Sequence, residues 1–483
     1  MLAGGIDIGT SGCKIVLYDE TGNFCGSVYK EYDVKRQGGF HEINPEEIFD
    51  SVQYVLKKAN TKDLKALAIT SFGETAVMLD ENHTVCAPSM LYTDPRGKDE
   101  CNALVKRFGK QQLAFITGTK PHCMYSLPKI MWIKNNMPLA FERTKYVFLM
   151  QDYIIYMLTG KRCIDYSLAA RTACFDVKNK QWAADMLAFC GIDSSLFSTP
   201  VPSGSVAGVI KRELAEKLDV PGDVRIVVGC HDQIAAMTGA NVLHTGEFMD
   251  GTGTVECVPV IMEDMPKSDA LYEYGYSVVP HINGKYVCYA LSYAGGASLK
   301  WFKNQISPFA ELSYEAIDRQ VQDAPTDLLI LPHFAGAATP YMDEASRAAI
   351  IGLTFEHTSS DVYKALMEGT AFEILLNLEI LRRFGIQPQT MIATGGGANS
   401  DVWMQIKADI LGIRIKALDE KEIGAAGTAY IAGMACGMYQ TGTSFAKERR
   451  IFLPDRKKHA YYLKQFEKYK KMYAAMKEIM GNV

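Results

Sequence analysis

The sequence predicts an α/β chain in which one fold unit, a mixed sheet flanked by helices, is used twice. Three observations predict this. The stretch Ile6-Asp7-Ile8-Gly9-Thr10-Ser11-Gly12, followed by Lys14, joins an apolar strand-like run to an Asp and a Gly/Thr/Ser turn. About half a chain later, Met249-Asp250-Gly251-Thr252-Gly253-Thr254 repeats the device. Finally, 483 residues at 48% hydrophobic and 22% charged leave room for two or three domains with sizeable cores. Glycine removes the side chain that would block approach, so backbone N–H groups and hydroxyls in such turns can close on a phosphate. Two such turns suggest a duplicated fold that grips a nucleotide from both sides.

The elements follow in order. Leu2 to Ile8 reads as a first strand, Gly9 to Gly12 as a turn, Lys14 to Asp19 as a second strand and Phe24 to Val34 as a third. Asn44 caps a helix with Pro45 at its first position and Glu46 and Glu47 in its first turn. Leu64 to Thr70 returns as a mostly buried strand. The stretch from about 96 to 215 is richer in helical pattern, with candidate helices at Asp152–Leu158 and Gln181–Cys190, and Pro200, Pro202 and Gly204 mark a connector. Residues 225–230 form a short buried strand. The second half restarts near Gly246, with strands at Cys257–Met262 and Lys285–Ser292. A long helix runs from about Ser360 to Phe384 and is closed by Gly385. Met391 to Thr394 is a strand ending in a glycine triplet. The last helix, His459 to Met480, places Tyr462, Phe466, Tyr469, Tyr473, Met476 and Met480 on one stripe and its lysines on a solvated face.

Composition excludes several classes. A formal net charge of −4 leaves no nucleic-acid footprint and no acidic tail. Met1-Leu2-Ala3-Gly4-Gly5 has no basic region ahead of its apolar run, so no signal peptide is expected. No apolar run approaches the roughly 20 residues of a membrane helix, so no membrane partner is expected. The 12 cysteines are scattered without a CxxC pair or a zinc-like Cys/His spacing. They read as reduced thiols packed as small hydrophobes in a cytoplasmic protein, Cys174, Cys190 and Cys288 among them.

Several residues could carry chemistry. Asp232, in Gly229-Cys230-His231-Asp232-Gln233, stands where a buried strand ends and a helix begins. Ligands of open α/β sheets bind at that edge. A carboxylate there could accept a hydroxyl proton as the hydroxyl attacks phosphorus, or it could simply cap the helix. Asp7 lies inside an apolar strand, where an unpaired charge is costly, so Mg²⁺ or a hydrogen bond to the Gly9–Gly12 turn would explain it. Gly395-Gly396-Gly397-Ala398-Asn399-Ser400 suits close backbone approach to an adenosine or its phosphates, or a plain strand-to-helix turn. Gly73-Glu74 and the pair Asp94 and Arg96 could supply polar groups to a polyol, or be a turn and an ion pair. His231 could be a base but reads better as a satisfied strand-end histidine. His41, His333 and His357 show no feature beyond that.

Taken in order, these segments resemble the FGGY family of carbohydrate kinases within the actin-like ATPase superfamily. The resemblance runs through Gly5 to Ser11, Tyr125 to Trp132, Asp152-Tyr153, Leu158-Thr159-Gly160, Asp165, Ser167, His231-Asp232-Gln233, Gly251-Thr252-Gly253, Ala294 to Trp301, Pro340 to Leu353, Glu368 to Phe372 and Gly395 to Ser400. It implies two actin-like (ribonuclease H-like) domains with a nucleotide cleft between them, residues 1–244 for sugar binding and the base and 245–483 for nucleotide binding. It implies Asp232 as catalytic base and Asp7 as the residue that holds or orients Mg²⁺. Thr10, Ser11 and Lys14 would approach the transferred phosphoryl group. Thr252 and Gly253 would bind nucleotide phosphates, with Gly296, Gly396, Gly397 and Asn399 along the nucleotide. Gly73, Glu74, Asp232 and Gln233 would touch the sugar. ATP and Mg²⁺ are the expected cosubstrate and ion. Subunit association is common in the family, so a homodimer is compatible with the resemblance, although no stretch marks an interface.

The departures bear on the substrate. Lys14 stands where some members have Arg, replacing a forked donor by a point charge. Gly73 stands where glycerol kinases typically have Arg, and Gly73-Glu74 replaces the Met-His typical of xylulokinases. His231 precedes the base, where a small residue is common. The expectation is therefore a xylulokinase-like, ATP-dependent cytoplasmic kinase of a sugar or polyol, with a ketopentose first. Gluconate, another ketose, a four-carbon polyol, glycerol and an autoinducer furanone are the alternatives within this class. Outside it stand a nucleotide-driven chaperone or filament protein, a sugar-binding regulator and a phosphoanhydride hydrolase.

Overall fold

The computed structural model describes residues 1–306, 309, 311–419, 422–440, 443 and 445–480. Two compact units are built from this chain, and neither is a single stretch of it. The first draws on residues 1–241, 278–286 and 422–445, the second on 242–277, 287–421 and 446–483.

The first unit contains a six-stranded sheet in the order Val206–Val209, Arg225–His231, Leu64–Ser71, Leu2–Ile8, Gly12–Asp19, Phe24–Glu31. Its three central strands are parallel. The flanking pairs are antiparallel, with the first hairpin closed by Gly9 N–H donating to Gly12 O at 2.9 Å. The register sets Asp7 opposite Thr70 and Ser71 opposite His231. The carboxyl ends of the three parallel strands therefore share one edge, and Asp7, Glu74 and Asp232 all lie there. The helix Pro45–Lys58 packs Ile48, Val52 and Val55 into a core with Ile6, Ile15, Leu67 and Ile69. Asn44 caps it as expected, accepting from Glu46 N–H at 3.0 Å. Two further helices, Asp232–Gly239 and Ile423–Ala435, pack together. They meet through glycine, since a Cβ on Gly239 would come within 2.8 Å of Gly427 N. The helical middle has its own small core, including Leu104, Leu127, Ile130 and Leu187.

Two sequence expectations fail here. Gln181 does not open a helix: Gln181–Trp182 pairs antiparallel with Phe175–Asp176, and the helix begins at Ala184. The indole of Trp182 decides this by packing edge-on to Phe175 (5.6 Å) and against Phe197 (4.7 Å) while donating to Ser198 O at 3.0 Å. The third strand stops at Glu31 rather than Val34.

The second unit repeats the sheet plan. Strands Glu256–Met262, Glu247–Thr252, Thr390–Thr394, Arg414–Leu418 and Glu448–Phe452 neighbour one another in that order. The inner three are parallel and the outer pairs antiparallel. The helix Ser359–Arg383 starts one residue earlier than expected because Thr358 and Asp361 form a reciprocal capping box. The helix Arg456–Met480 buries Tyr462, Phe466, Tyr469 and Met472. Cys174, Cys190 and Cys288 are buried thiols. Among the described residues, no helix is long and apolar enough to cross a membrane.

Candidate active site

Asp232 is the first residue of its helix, and the N-cap position belongs to His231, whose side chain makes no cap hydrogen bond. Capping therefore does not account for Asp232. Its Oδ1 is enclosed and has no hydrogen-bond partner, although His231 Nε2 lies 3.3 Å away. A third of the side chain (34%) stays open to solvent. Burial pushes the carboxyl up to about 6, while the Gln233 backbone N–H, Arg171 and the Gln233 side chain pull it down. At neutral pH the group is thus ionised, with one oxygen open to receive a proton, and more basic than an ordinary aspartate. His231 behaves as a satisfied histidine. Its backbone N–H donates to Ser167 Oγ at 2.9 Å. Burial first and Arg171 second hold its imidazole down at about 3, too weak a base for proton abstraction at neutral pH.

Glu74 is buried and adopts a left-handed φ of 67°. Ser126 Oγ donates to its carbonyl at 2.6 Å. Its Oε1 accepts from Arg171 Nε at 2.5 Å and also from Arg171 Nη2. The Arg171 side chain lies across Gly73, where an added Cβ would come within 2.9 Å of Arg171 Cγ. Gly73 itself supplies no clamp, but the space beside it holds a guanidinium delivered from residue 171. Local sequence gives no hint of this, because Arg171 sits 97 positions from Glu74 in an unremarkable Ala-Ala-Arg-Thr stretch. Asp94 and Arg96 form a buried ion pair, one of the two readings their sequence left open. Asp94 accepts from Arg96 Nε (2.8 Å) and from His41 N–H (2.8 Å), and Arg96 is held between Phe40 and Trp132.

At the neighbouring strand end, the Asp7 carboxyl is pushed up to about 7. Burial is the main cause, Asp232 and Glu422 add to it, and Lys14 opposes. Among the described residues the Gly9–Gly12 turn closes on itself and makes no hydrogen bond to the Asp7 side chain. The helix Ile423–Ala435, which no local sequence signal announces, brings Gly424 to Asp7: a Cβ there would be 3.2 Å from Oδ2. Lys14 donates to Glu422 Oε2 at 2.6 Å and lies over the Tyr29 ring. Thr10 and Ser11 sit in the turn between the strands, part-exposed and exposed. Gln233 is part-exposed beside Asp232.

The second unit gathers its candidates at the carboxyl ends of Glu247–Thr252 and Thr390–Thr394. Gly253 N–H donates to Gly251 O, and Gly296 N–H donates to Gly253 O, both at 2.8 Å. Gly395, at φ 82°, passes so close that a Cβ would lie 2.9 Å from Thr252 O. Gly397 abuts Thr252 and the Trp403 ring. Gly396 and Asn399 are exposed, and nothing lies within 4 Å of a Cβ placed on Gly396. Gly253, Gly296, Gly396 and Gly397 leave backbone open to solvent beside the exposed Asn399, and Thr252 is buried just behind them. Beneath it lies a cluster that sequence did not reveal. Lys407, fully buried, pairs with Asp250 Oδ2, with Glu256 Oε1 at 2.7 Å and with Thr252 Oγ1 at 3.2 Å. Thr252 Oγ1 donates to Asp250 Oδ2 at 2.8 Å. Burial pushes the Glu256 carboxyl up, against the pull of Lys407.

Known proteins resemble this chain over nearly its whole length. A xylulose kinase from Bacillus subtilis is 27% identical over 495 residues, covering 98% of this chain and 97% of its own. A ligand-bound xylulose kinase from Lactobacillus acidophilus superposes with a TM-score of 0.88 at 26% identity, covering 98% of both chains. A gluconate kinase from the same organism gives the same TM-score, identity and coverage. Residues 2–239 match the N-terminal domain of the FGGY family of carbohydrate kinases, and residues 251–436 match its C-terminal domain. Both matched domains are those of carbohydrate kinases, so chaperone and filament readings give way. The chain belongs to the FGGY family of carbohydrate kinases and is an ATP-using sugar kinase.

Proposed function

We propose that this kinase transfers the γ-phosphoryl group of ATP to a primary hydroxyl of an open-chain ketopentose such as xylulose. The observation that carries the mechanism is the Asp232 carboxylate, which directly follows a parallel strand and has one oxygen free of any hydrogen bond. It takes the proton of the attacking hydroxyl, whose oxygen bonds the γ-phosphorus in line as the bond to ADP breaks, so that sugar phosphate and ADP leave. Glu74 and Gln233 orient the acceptor. Thr10, Ser11 and Lys14 serve the transferred group, while Thr252, Gly253, Gly296, Gly396, Gly397 and Asn399 bind the nucleotide. In this reading residues 1–244 carry the acceptor and base, and 245–483 carry the nucleotide.

The residues present fit Mg²⁺. Asp7 is a crowded carboxylate whose neighbours Asp232 and Glu422 add negative charge, an excess that a divalent cation would relieve. Among the described residues no cluster of three or more His, Cys, Asp or Glu could hold a metal alone. In this reading Asp7 would hold the ion, with water and phosphate oxygens completing its shell. Bound there, Mg²⁺ would neutralise charge on the phosphates.

The ketopentose assignment rests on the xylulose kinases among the relatives. It is tested by ADP release from Mg·ATP across ketoses, sugar acids and polyols, with Asp232→Asn as control. We expect xylulose or another ketopentose to stimulate most. The variant should lose at least about 10²-fold in turnover, the low end for a general base, while still binding ATP. Near-normal turnover in Asp232→Asn would sink the base assignment. In Asp7→Ala, Mg²⁺-dependent turnover should weaken, and an unchanged Mg²⁺ dependence would count against that role.

A further inference from the structure

We infer that the Arg171–Glu74 pair makes this a kinase of neutral polyhydroxylated acceptors and discriminates against acceptors that carry a carboxylate. The inference rests on reading the strand edge around Gly73, Glu74 and Asp232 as the acceptor site.

The geometry supplies one guanidinium and one carboxylate locked together. Glu74 is fixed by Ser126 and by Arg171, and the guanidinium is backed by the Tyr125 ring at 5.1 Å. Arg171 offers only donors and Glu74 only acceptors. Neighbouring hydroxyls of a polyol can each donate to one and accept from the other, and both members stay paired throughout. A carboxylate can use the donor half only. It would also stand opposite Glu74 as a like charge.

The surroundings sharpen this contrast. The Arg171 charge is already matched by Glu74, and the Lys14 charge by Glu422. Lys129, the other cation that acts on this region, is buried and donates to the carbonyls of Asp94 and Arg96. His231 is held neutral by its burial. Against these stands Asp232 in addition to Glu74 and Glu422, the charge of Asp7 being assigned to the ion. An entering carboxylate therefore meets an excess of negative charge, whereas a neutral chain of hydroxyls meets none of that repulsion. A like charge placed against the wrong partner is an effective way to gain specificity. A site built to bond hydroxyls also rejects acceptors that leave its own groups unpaired.

The test uses the full chain with Mg·ATP and four acceptors: D-xylulose, D-ribulose, glycerol and D-gluconate. The best neutral acceptor should exceed gluconate in kcat/KM by at least about tenfold. Glu74→Gln should raise the KM of that neutral acceptor by about tenfold or more and narrow the gap to gluconate, because it removes both the acceptor half of the pair and the carboxylate that opposes an entering one. The KM for ATP, read in the same variant, distinguishes this from general loss of structure. Arg171→Lys should restore part of the neutral-acceptor activity lost in Arg171→Gln. If the variants fold poorly, the wild-type ranking alone decides. Gluconate as the best acceptor, or a gap untouched by Glu74→Gln in a folded protein, overturns the inference. A preference for glycerol over both ketopentoses overturns the ketopentose reading and supports this one. Stimulation by none of the four overturns both.

Discussion

Lys407→Met is the sharpest test of how the second unit holds the strand end proposed to face the nucleotide phosphates. The lysine is fully buried, as are Asp250 and Glu256, so neither carboxylate has water to replace the lost cation. Asp250 Oδ1 and Glu256 Oε2 already lack hydrogen-bond partners, and nothing in reserve can take over. Met keeps the unbranched stem beside the Trp403 ring, so the packing term is small and the electrostatic term dominates. Removing one partner of a buried pair costs about 3–5 kcal/mol. At about 1.4 kcal/mol per decade, local opening should become roughly 10² to 10⁴ times more frequent. Native-state hydrogen exchange of the amides in Glu247–Thr252 and Asp401–Leu411 reads this directly and avoids assuming that a two-unit chain unfolds in one step. Thr252 Oγ1 bonds both Asp250 and Lys407, so the KM for ATP should rise in parallel. The triple variant Lys407→Met, Asp250→Asn, Glu256→Gln should recover much of the protection, because no charge is left buried. Protection lost by less than about 1 kcal/mol in the single variant, or a triple variant worse than the single, would refute the reasoning.

Three further outcomes are expected. The acid limb of kcat/KM should fall near pH 6, where Asp232 takes up its proton; Arg171 lowers that affinity, so Arg171→Gln should move the limb to higher pH, and a limb that stays in place would detach Arg171 from the base. Gly397→Val should raise the KM for ATP by about tenfold or more, because even a Cβ there would come within 2.7 Å of the Trp403 ring, whereas Gly396→Ala should leave thermal stability unchanged, as measured by calorimetry. Cys25 is the exposed thiol, so limited treatment with a thiol reagent should label it ahead of Cys13, Cys101, Cys174, Cys190 and Cys288, whose burial keeps the thiols protonated, as peptide mapping would show.

What was legible in sequence was what local pattern can encode. The hairpin around Gly9–Gly12, the Asn44-Pro45 helix start and the strand leading to Asp232 each announce themselves within about ten residues, and each stands where expected. The unread parts depend on residues far apart. Arg171 gains its meaning only against Glu74, and Lys407 only against carboxylates more than 150 positions earlier. A lone lysine in the helix Asp401–Leu411 reads as a solvated face until the fold buries it. Ile423–Ala435 was missed for another reason: it is buried nearly throughout, so its alanines and glycines carry no polar stripe and no helical period. Gln181 was misplaced because one indole, not the local propensity, sets the backbone there.

The helix Ile423–Ala435 also has a consequence for biogenesis. It belongs to the unit founded by Leu2–Ile8, yet the ribosome makes it more than four hundred residues later. Until then Gly5, Gly239 and the face they share lack their cover, and the nascent first half must wait in a partly assembled, apolar-surfaced state. A fragment ending at residue 244 should therefore be sticky and poorly soluble by itself. Supplying 422–445, in trans as a separate peptide or in cis as a fused segment, should rescue it. The late segment acts as a clasp, withholding the completed first unit until translation is nearly done.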